Sequence, residues 1–170
     1  MYDNILYPTD GSEAAETVLD HVENLANTYD ATIHVLYVVS PDTGDSSFTL
    51  EQDDQGNWRS GMFKRNTEPE STSGMAKGKV DVHEVLQAEG EAYTSVIAEE
   101  LADAGCDTVS ACRGGTPNDE IIGYAEDNDV DLIAMGTHGR SGVERQVVGS
   151  VTEKVVRNSE IPVLTVHLHG

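Results

Sequence analysis

Lysine is scarce in this 170-residue chain: Lys64, Lys77, Lys79 and Lys154 are all there are. Asp and Glu number 31 against 10 Lys and Arg, a formal charge of -21. A polyanion of that strength repels nucleic acid and anionic membrane, which argues against either as a direct partner. The acid is not gathered into a tail, because no run of five like charges occurs. It reads as a surface, self-repelling in dilute salt and screened at about 1 M, where the Debye length falls to about 3 Å. The expectation is a protein adapted to high salt.

Cysteine is almost absent, and Cys106 and Cys112 are too few and too close in sequence for a disulfide framework or a zinc site. Both read as core thiols. No apolar run approaches the roughly 18 residues that cross a bilayer, and the first residues lack the pattern of a secretory signal. The expected compartment is the cytoplasm. The length suits a single domain, residues 1–170.

What the chain does have is a series of short apolar runs: NILYP (4–8), TIHVLYVV (32–39), DTVSACR (107–113), DLIAMG (131–136) and PVLTVHL (162–168). These read as strands mostly buried on both faces. Between them, helical spacing predicts helices over 13–29, about 86–104, 118–128 and 149–158. Strands alternating with helices imply a parallel sheet with crossover connections, an α/β fold. Ser12 is placed to cap the first helix, with Glu13 and Glu16 in its first turn, and Thr116-Pro117 to start the third. Pro162 opens the last strand, where a missing N–H does least harm.

Residues 40–83 break the alternation. They are polar, rich in Gly, Ser, Asp and Glu, and far longer than a usual connection, so a mobile insertion is expected there. It reads either as a tolerated surface loop or as a lid or partner-binding arm using Trp58, Met62 and Phe63.

The stretch GTHGRSGVERQVVGSVTEKVV (136–156) carries the functional signal. Gly136 closes a predicted strand, Gly139 follows after two residues, and Gly149-Ser150 opens a predicted helix. Chance alone supplies G-x2-G-x9-G-[ST] in about 1 chain in 50 of this composition, so the strand before and helix after it are what give it weight. Glycine lets the backbone turn and a ligand approach closely, and the amides that begin a helix attract anions. In open parallel sheets, ligands collect beyond the carboxyl ends of the strands, which is where this stretch falls. Arg140, Arg145, Lys154 and Arg157 against Glu144 and Glu153 give the 136–157 window a net +2 within the acidic chain. That local reversal suggests an anionic ligand.

With ILYPTDGS, VLYVV, DLIAMGTHGRSG, VVGSVTEKVVRNS and IPVLTV in place, the chain resembles the universal stress protein family in its nucleotide-binding form, over nearly everything except the insertion. The resemblance implies an open five-stranded parallel sheet of order 3-2-1-4-5 with helices on both faces. It also implies a homodimer through the last strand, and ATP bound over the strand ends. By that resemblance Pro8, Thr9 and Asp10 border adenine and ribose, with Val38 and Met135 beside the base. Gly136 and Gly139 lie against ribose and phosphates, and Gly149, Ser150, Val151 and Thr152 hold the phosphates. Mg2+ or Mn2+ would enter with those phosphates, since no dedicated ligand cluster is evident. Each residue has a plainer reading: Asp10 as a turn former, Val38 and Met135 as core, Arg140 as a solvated charge.

A catalyst is not evident. His138 stands in the binding loop without an orienting partner; His21 and His34 read as packing or surface residues; His83 adjoins the insertion. His167 and His169 share a face of the last strand, too few ligands for a metal site on their own. TDGSEAAE after the first strand has a single glycine, unlike the S-G-G-x-D-S loop of adenylating ATP pyrophosphatases. The expectation is therefore an ATP-binding stress-response or regulatory module, with slow ATP hydrolysis or an empty-pocket dimerising module as the alternatives. Its protein partners are not legible.

Overall fold

The computed structural model describes residues 1–40, 46–52, 58–64, 82–137 and 148–167, with 46–52 and 58–64 described in their backbone only. Strand β1 (Asn4–Thr9) leads into helix α1 (Glu13–Tyr29). The helix starts where Ser12 adopts an extended conformation and its hydroxyl accepts from the Ala15 amide, with Glu13 and Glu16 in the first turn. Ala14, Ala15, Val18, Val22 and Ala26 form its buried stripe, and Asp30, at φ 57°, ends it in the left-handed conformation.

Strand β2 (Thr32–Val39) follows, then β3 (Ser46–Gln52), β4 (Trp58–Lys64), helix α2 (Val82–Asp103) and β5 (Asp107–Gly114). Helix α3 (Pro117–Asp127), β6 (Leu132–Gly136), helix α4 (Ser150–Asn158) and β7 (Val163–Val166) complete the order. At α3, Thr116 occupies the cap position but its side chain makes no cap hydrogen bond. Pro117, whose missing N–H costs nothing there, begins the helix.

The main sheet has five strands in the order β5-β2-β1-β6-β7, and its described pairings are parallel. Counting only its own strands along the chain, that order is 3-2-1-4-5, the arrangement the resemblance implied. Alternating strand residues feed two cores. Ile5, Tyr7, Ile33, Val35, Tyr37 and Ala134 pack under α1 and α2 on one face. Leu6, Leu36, Ile133 and Met135 pack on the other, with Ile121, Tyr124 and Ala125 of α3 and Val155 of α4.

Two expectations need correction. The inner strands β1, β2 and β6 are buried on both faces as read, but β5 and β7 are edges and are half-exposed along most of their length, Val109 at 41%. Their apolar runs resemble the inner ones because pattern within a strand does not reveal its neighbours. The insertion, where no element was expected, carries a hairpin: β3 and β4 pair antiparallel, Phe48 opposite Met62, as a separate two-stranded sheet. The alternation of Phe48 and Leu50 with polar residues is the period-two signal, hidden in polar surroundings.

Candidate functional site

The site forms where β1, β2 and β6 end. Pro8 and Thr9 are buried at the end of β1, and the chain then turns sharply, Gly11 at φ 74°. Three side chains close this turn. The Thr9 hydroxyl accepts from the Gly11 amide at 3.2 Å, Asp10 Oδ1 from the Ser12 amide at 3.0 Å, and Ser12 Oγ from the Ala15 amide at 3.3 Å. Asp10 is thus a turn former, as its plainer reading held, and one of its oxygens is committed to that role.

Pro8, Val38 and Met135 come together on one face. Pro8 is level with Leu36 in the β1–β2 register, Val38 lies one pleat further along β2, and the β1–β6 register continued by two residues sets Met135 beside Pro8. Met135 belongs to the core beneath α3 and α4, and half-buried Val38 packs against that core. The three residues expected near the base therefore share the α3/α4 face at its carboxyl end.

Gly136 is glycine because helix α1 passes directly over it: a Cβ would stand 2.7 Å from the Ala14 carbonyl oxygen. Its own carbonyl accepts from the Thr152 hydroxyl at 2.8 Å, and Thr152 is 4% exposed. The Thr152 hydroxyl is thus spent inside the protein, tying α4 to the end of β6. Gly149, the N-cap of α4, donates its amide to the Thr137 carbonyl at 2.6 Å and supplies no side-chain cap. Among the described residues nothing accepts from the Ser150, Val151 and Thr152 amides, the orphan donors of the first turn. Ser150 is exposed and Val151 half-buried.

Thr137 is a site residue the sequence reading passed over. It is 1% exposed; its amide donates to the Val166 carbonyl, its carbonyl receives the Gly149 amide, and its hydroxyl meets His167 Nδ1 at 3.1 Å. It joins β6, β7 and α4. Its position directly after Gly136 was the available signal, read only as a spacer in the glycine motif. Gly139, His138 and Arg140 lie outside the described residues, as does His169.

His34 is buried, His21 and His83 are exposed, and among the described residues no cluster of three His, Cys, Asp or Glu could hold a metal. Both thiols are free: Cys106 is buried, and Cys112 is half-buried with its pKa pushed up to about 11 by burial and by the Glu91 carboxylate. Burial likewise raises the Tyr7 phenol, whose hydroxyl donates to the Ala15 carbonyl at 2.8 Å. No described helix is long and apolar enough to cross a membrane.

An open parallel sheet, covered by helices on both faces and presenting an uncapped helix start beyond its strand ends, defines an α/β protein of the ligand-at-the-carboxyl-end class. The universal stress protein family model matches residues 1–167, and the chain belongs to that family. Over 166 residues it is 33% identical to universal stress protein MJ0577 of Methanocaldococcus jannaschii, covering 98% of this chain and 95% of that one. The solved structure of MJ0577 superposes with a TM-score of 0.74 at 29% identity, covering 100% of this chain and 99% of that one. A universal stress protein crystallised in complex with cAMP shares the fold at TM-score 0.62 and 20% identity, covering 99% and 98% of the two chains. The universal stress protein of Archaeoglobus fulgidus in complex with dAMP does so at 0.56 and 17%, covering 96% and 97%.

Proposed function

We propose that this protein binds ATP across the carboxyl ends of β1, β2 and β6 and works as a nucleotide-dependent stress-response module. The observation that carries this reading is the first turn of α4: the amides of Ser150, Val151 and Thr152 have no acceptor among the described residues, yet α4 is anchored by the Thr152–Gly136 and Gly149–Thr137 bonds. Fixed, unspent donors at a helix start suit a polyphosphate. Solved proteins of the same fold in complex with cAMP and with dAMP support an adenine nucleotide.

The residues fit the group. When bound, the nucleotide supplies a flat base and a polyanion. Pro8, Val38 and Met135 offer the base an apolar face, Asp10 lies where ribose hydroxyls would pass, and the α4 amides hold the phosphates; Gly136 stands beside them at the end of β6, its bare Cα accommodating α1, and Gly139 lets the backbone come close. Mg2+ or Mn2+ accompanies the phosphates. Thr9 acts through the turn that aims Asp10, and Thr152 through its amide.

The output is a change of conformation or assembly in the cytoplasm, not turnover. Occupancy stabilises the strand-end loops and alters the surface offered to partners. Two copies associate through β7, whose outer edge pairs with no described strand and whose Val163, Leu164 and Val166 are half-buried. The excess of acid suits a salty interior.

Protein purified in molar salt and then denatured should release adenine nucleotide, and calorimetry on the stripped protein should show ATP uptake. Gly139→Val should abolish uptake with the fold intact, because a β-branched side chain crowds the phosphates. Absence of both released nucleotide and ATP uptake overturns the reading, and unchanged affinity in the variant removes the 139 loop from the site.

A further inference from the structure

His34 is a buried imidazole that the nucleotide reading does not use. It lies on β2, four residues before Val38, on the face covered by α3, and is 7% exposed. Its Nδ1 stands 2.9 Å from the Tyr124 hydroxyl of α3, and its Nε2 3.3 Å from Asn4 Oδ1 of β1. The Asn4 amide nitrogen donates to the Asp129 carbonyl, which leaves the oxygen facing His34. Nε2 therefore carries the proton, and Nδ1 accepts from the Tyr124 hydroxyl. This arrangement requires the neutral ring.

Tyr124 is in turn held by Arg113, whose guanidinium carbon lies 4.9 Å from the ring centroid. Arg113 reaches across α3 over Glu120, Gly123, Tyr124 and Asp127, one helical face at three- and four-residue spacing. It bridges Glu120 at 3.8 Å and Asp127 at 3.0 Å, and a Cβ on Gly123 would stand 3.9 Å from its Nη1. In the sheet Arg113 is paired with Val38, one of the candidate base neighbours. The chain Asn4–His34–Tyr124–Arg113 thus runs from the amino end of β1 to the strand residue beside Val38, and docks α3 on the way.

We propose that His34, held between Asn4 and Tyr124, is a proton-sensitive latch that positions α3 and, through Arg113, the base end of the candidate nucleotide site. This rests on the nucleotide reading. A second proton on the ring goes to Nδ1, and the Tyr124 oxygen must then accept instead of donate. Its hydroxyl hydrogen has no other acceptor among the described residues. The groups facing His34 are Asn4 from β1 and Tyr124 from α3, with Arg113, Glu120 and Asp127 beyond the tyrosine ring. Near Asn4, Asp129 offers its carbonyl, and the Asp131 carboxylate is engaged by the amides of Asp3 and Asn4. Among the described residues no carboxylate is bonded to the imidazole to stabilise its charge, and burial pulls its pKa below the ordinary 6.5. A lowered folded value means that the unfolded chain takes up the proton first. The latch is fully closed above about pH 6.5 and opens as pH falls through the folded value.

The test follows His34 and the α3 amides by NMR in the ligand-free protein from about pH 7.5 to about pH 4.5, bracketing imidazole titration. Calorimetry of ATP binding over the same range accompanies it. The wild type should show His34 titrating below 6.5, the α3 amides shifting with the same midpoint, and ATP affinity falling about fivefold or more through it, the lower end of ordinary coupling between sites. Tyr124→Phe keeps the ring under Arg113 but removes the hydroxyl; it and His34→Gln should lose the pH dependence of binding. Titration of His34 at or above the ordinary value, or α3 amides that ignore it, overturns the latch whatever the ligand does. ATP affinity that stays flat through the His34 midpoint overturns its control of the site. Absence of binding at every pH overturns the nucleotide reading and that control with it, while the ligand-free titration still decides the latch.

Discussion

Gly136 shows how a residue's role depends on what lies over it. The G-x2-G spacing marked it as a ligand contact, and that spacing was legible in the sequence. The structure adds that a Cβ there would stand 2.7 Å from the Ala14 carbonyl oxygen, a backbone atom that cannot swing aside. Gly136→Ala should therefore destabilise the protein by about 1–3 kcal/mol through overpacking, before any ligand is considered. Thr152→Val is the companion change, of similar volume, removing the hydroxyl bond to the Gly136 carbonyl at a cost of about 1 kcal/mol. Thermal unfolding without nucleotide measures both; unchanged melting would mean that these residues serve the ligand alone. The same limit applies to Thr137, whose partners Val166, His167 and Gly149 could not be read from the chain, whereas the Asp10 bond reaches only two residues on, to the Ser12 amide, and its turn-forming role was legible locally.

At the scale of elements, helix α1 was legible to the residue, because Ser12, the two first-turn glutamates and an apolar stripe all act within a few residues of one another. Helix α2 was placed several residues late, because the polar stretch before it carried the insertion reading through His83 and so into the helix's first turn of Val82, His83, Glu84 and Val85. The hairpin β3–β4 was missed. Its strands bond to each other and not to the main sheet. Replacing residues 43–80 by a short Gly-Ser linker should therefore leave the melting temperature within about 5 °C, since loop length alone adds little closure entropy. It should also leave ATP uptake intact. A collapse of the fold on removal would show that the hairpin supports the sheet, and a loss of uptake alone would make it part of the site.

For the molecule as a whole, the charge distribution sets the conditions under which the fold persists. Helices α1 and α2 cover the same face of the sheet and carry four and six carboxylates without one Lys or Arg. The Glu100 carboxyl is raised above its ordinary pKa, by burial first and by Glu16 second, so repulsion reaches across that face. Added salt should screen it: moving from about 0.1 M to about 2 M KCl should raise the melting temperature by about 10 °C or more. A melting temperature indifferent to salt would mean that the acid serves solubility only.

The sequence by itself determined the alternation of strands and helices, the parallel architecture and the place of the glycine motif, because periodicity, capping and turn chemistry act between near neighbours in the chain. Only the tertiary structure decided how exposed the edge strands are, which hydroxyls are already spent, why Gly136 has no room for a side chain, and that His34 meets Tyr124 across 90 residues. Those outcomes depend on contacts between segments distant in sequence, and local pattern carries no record of the partner that folding will supply.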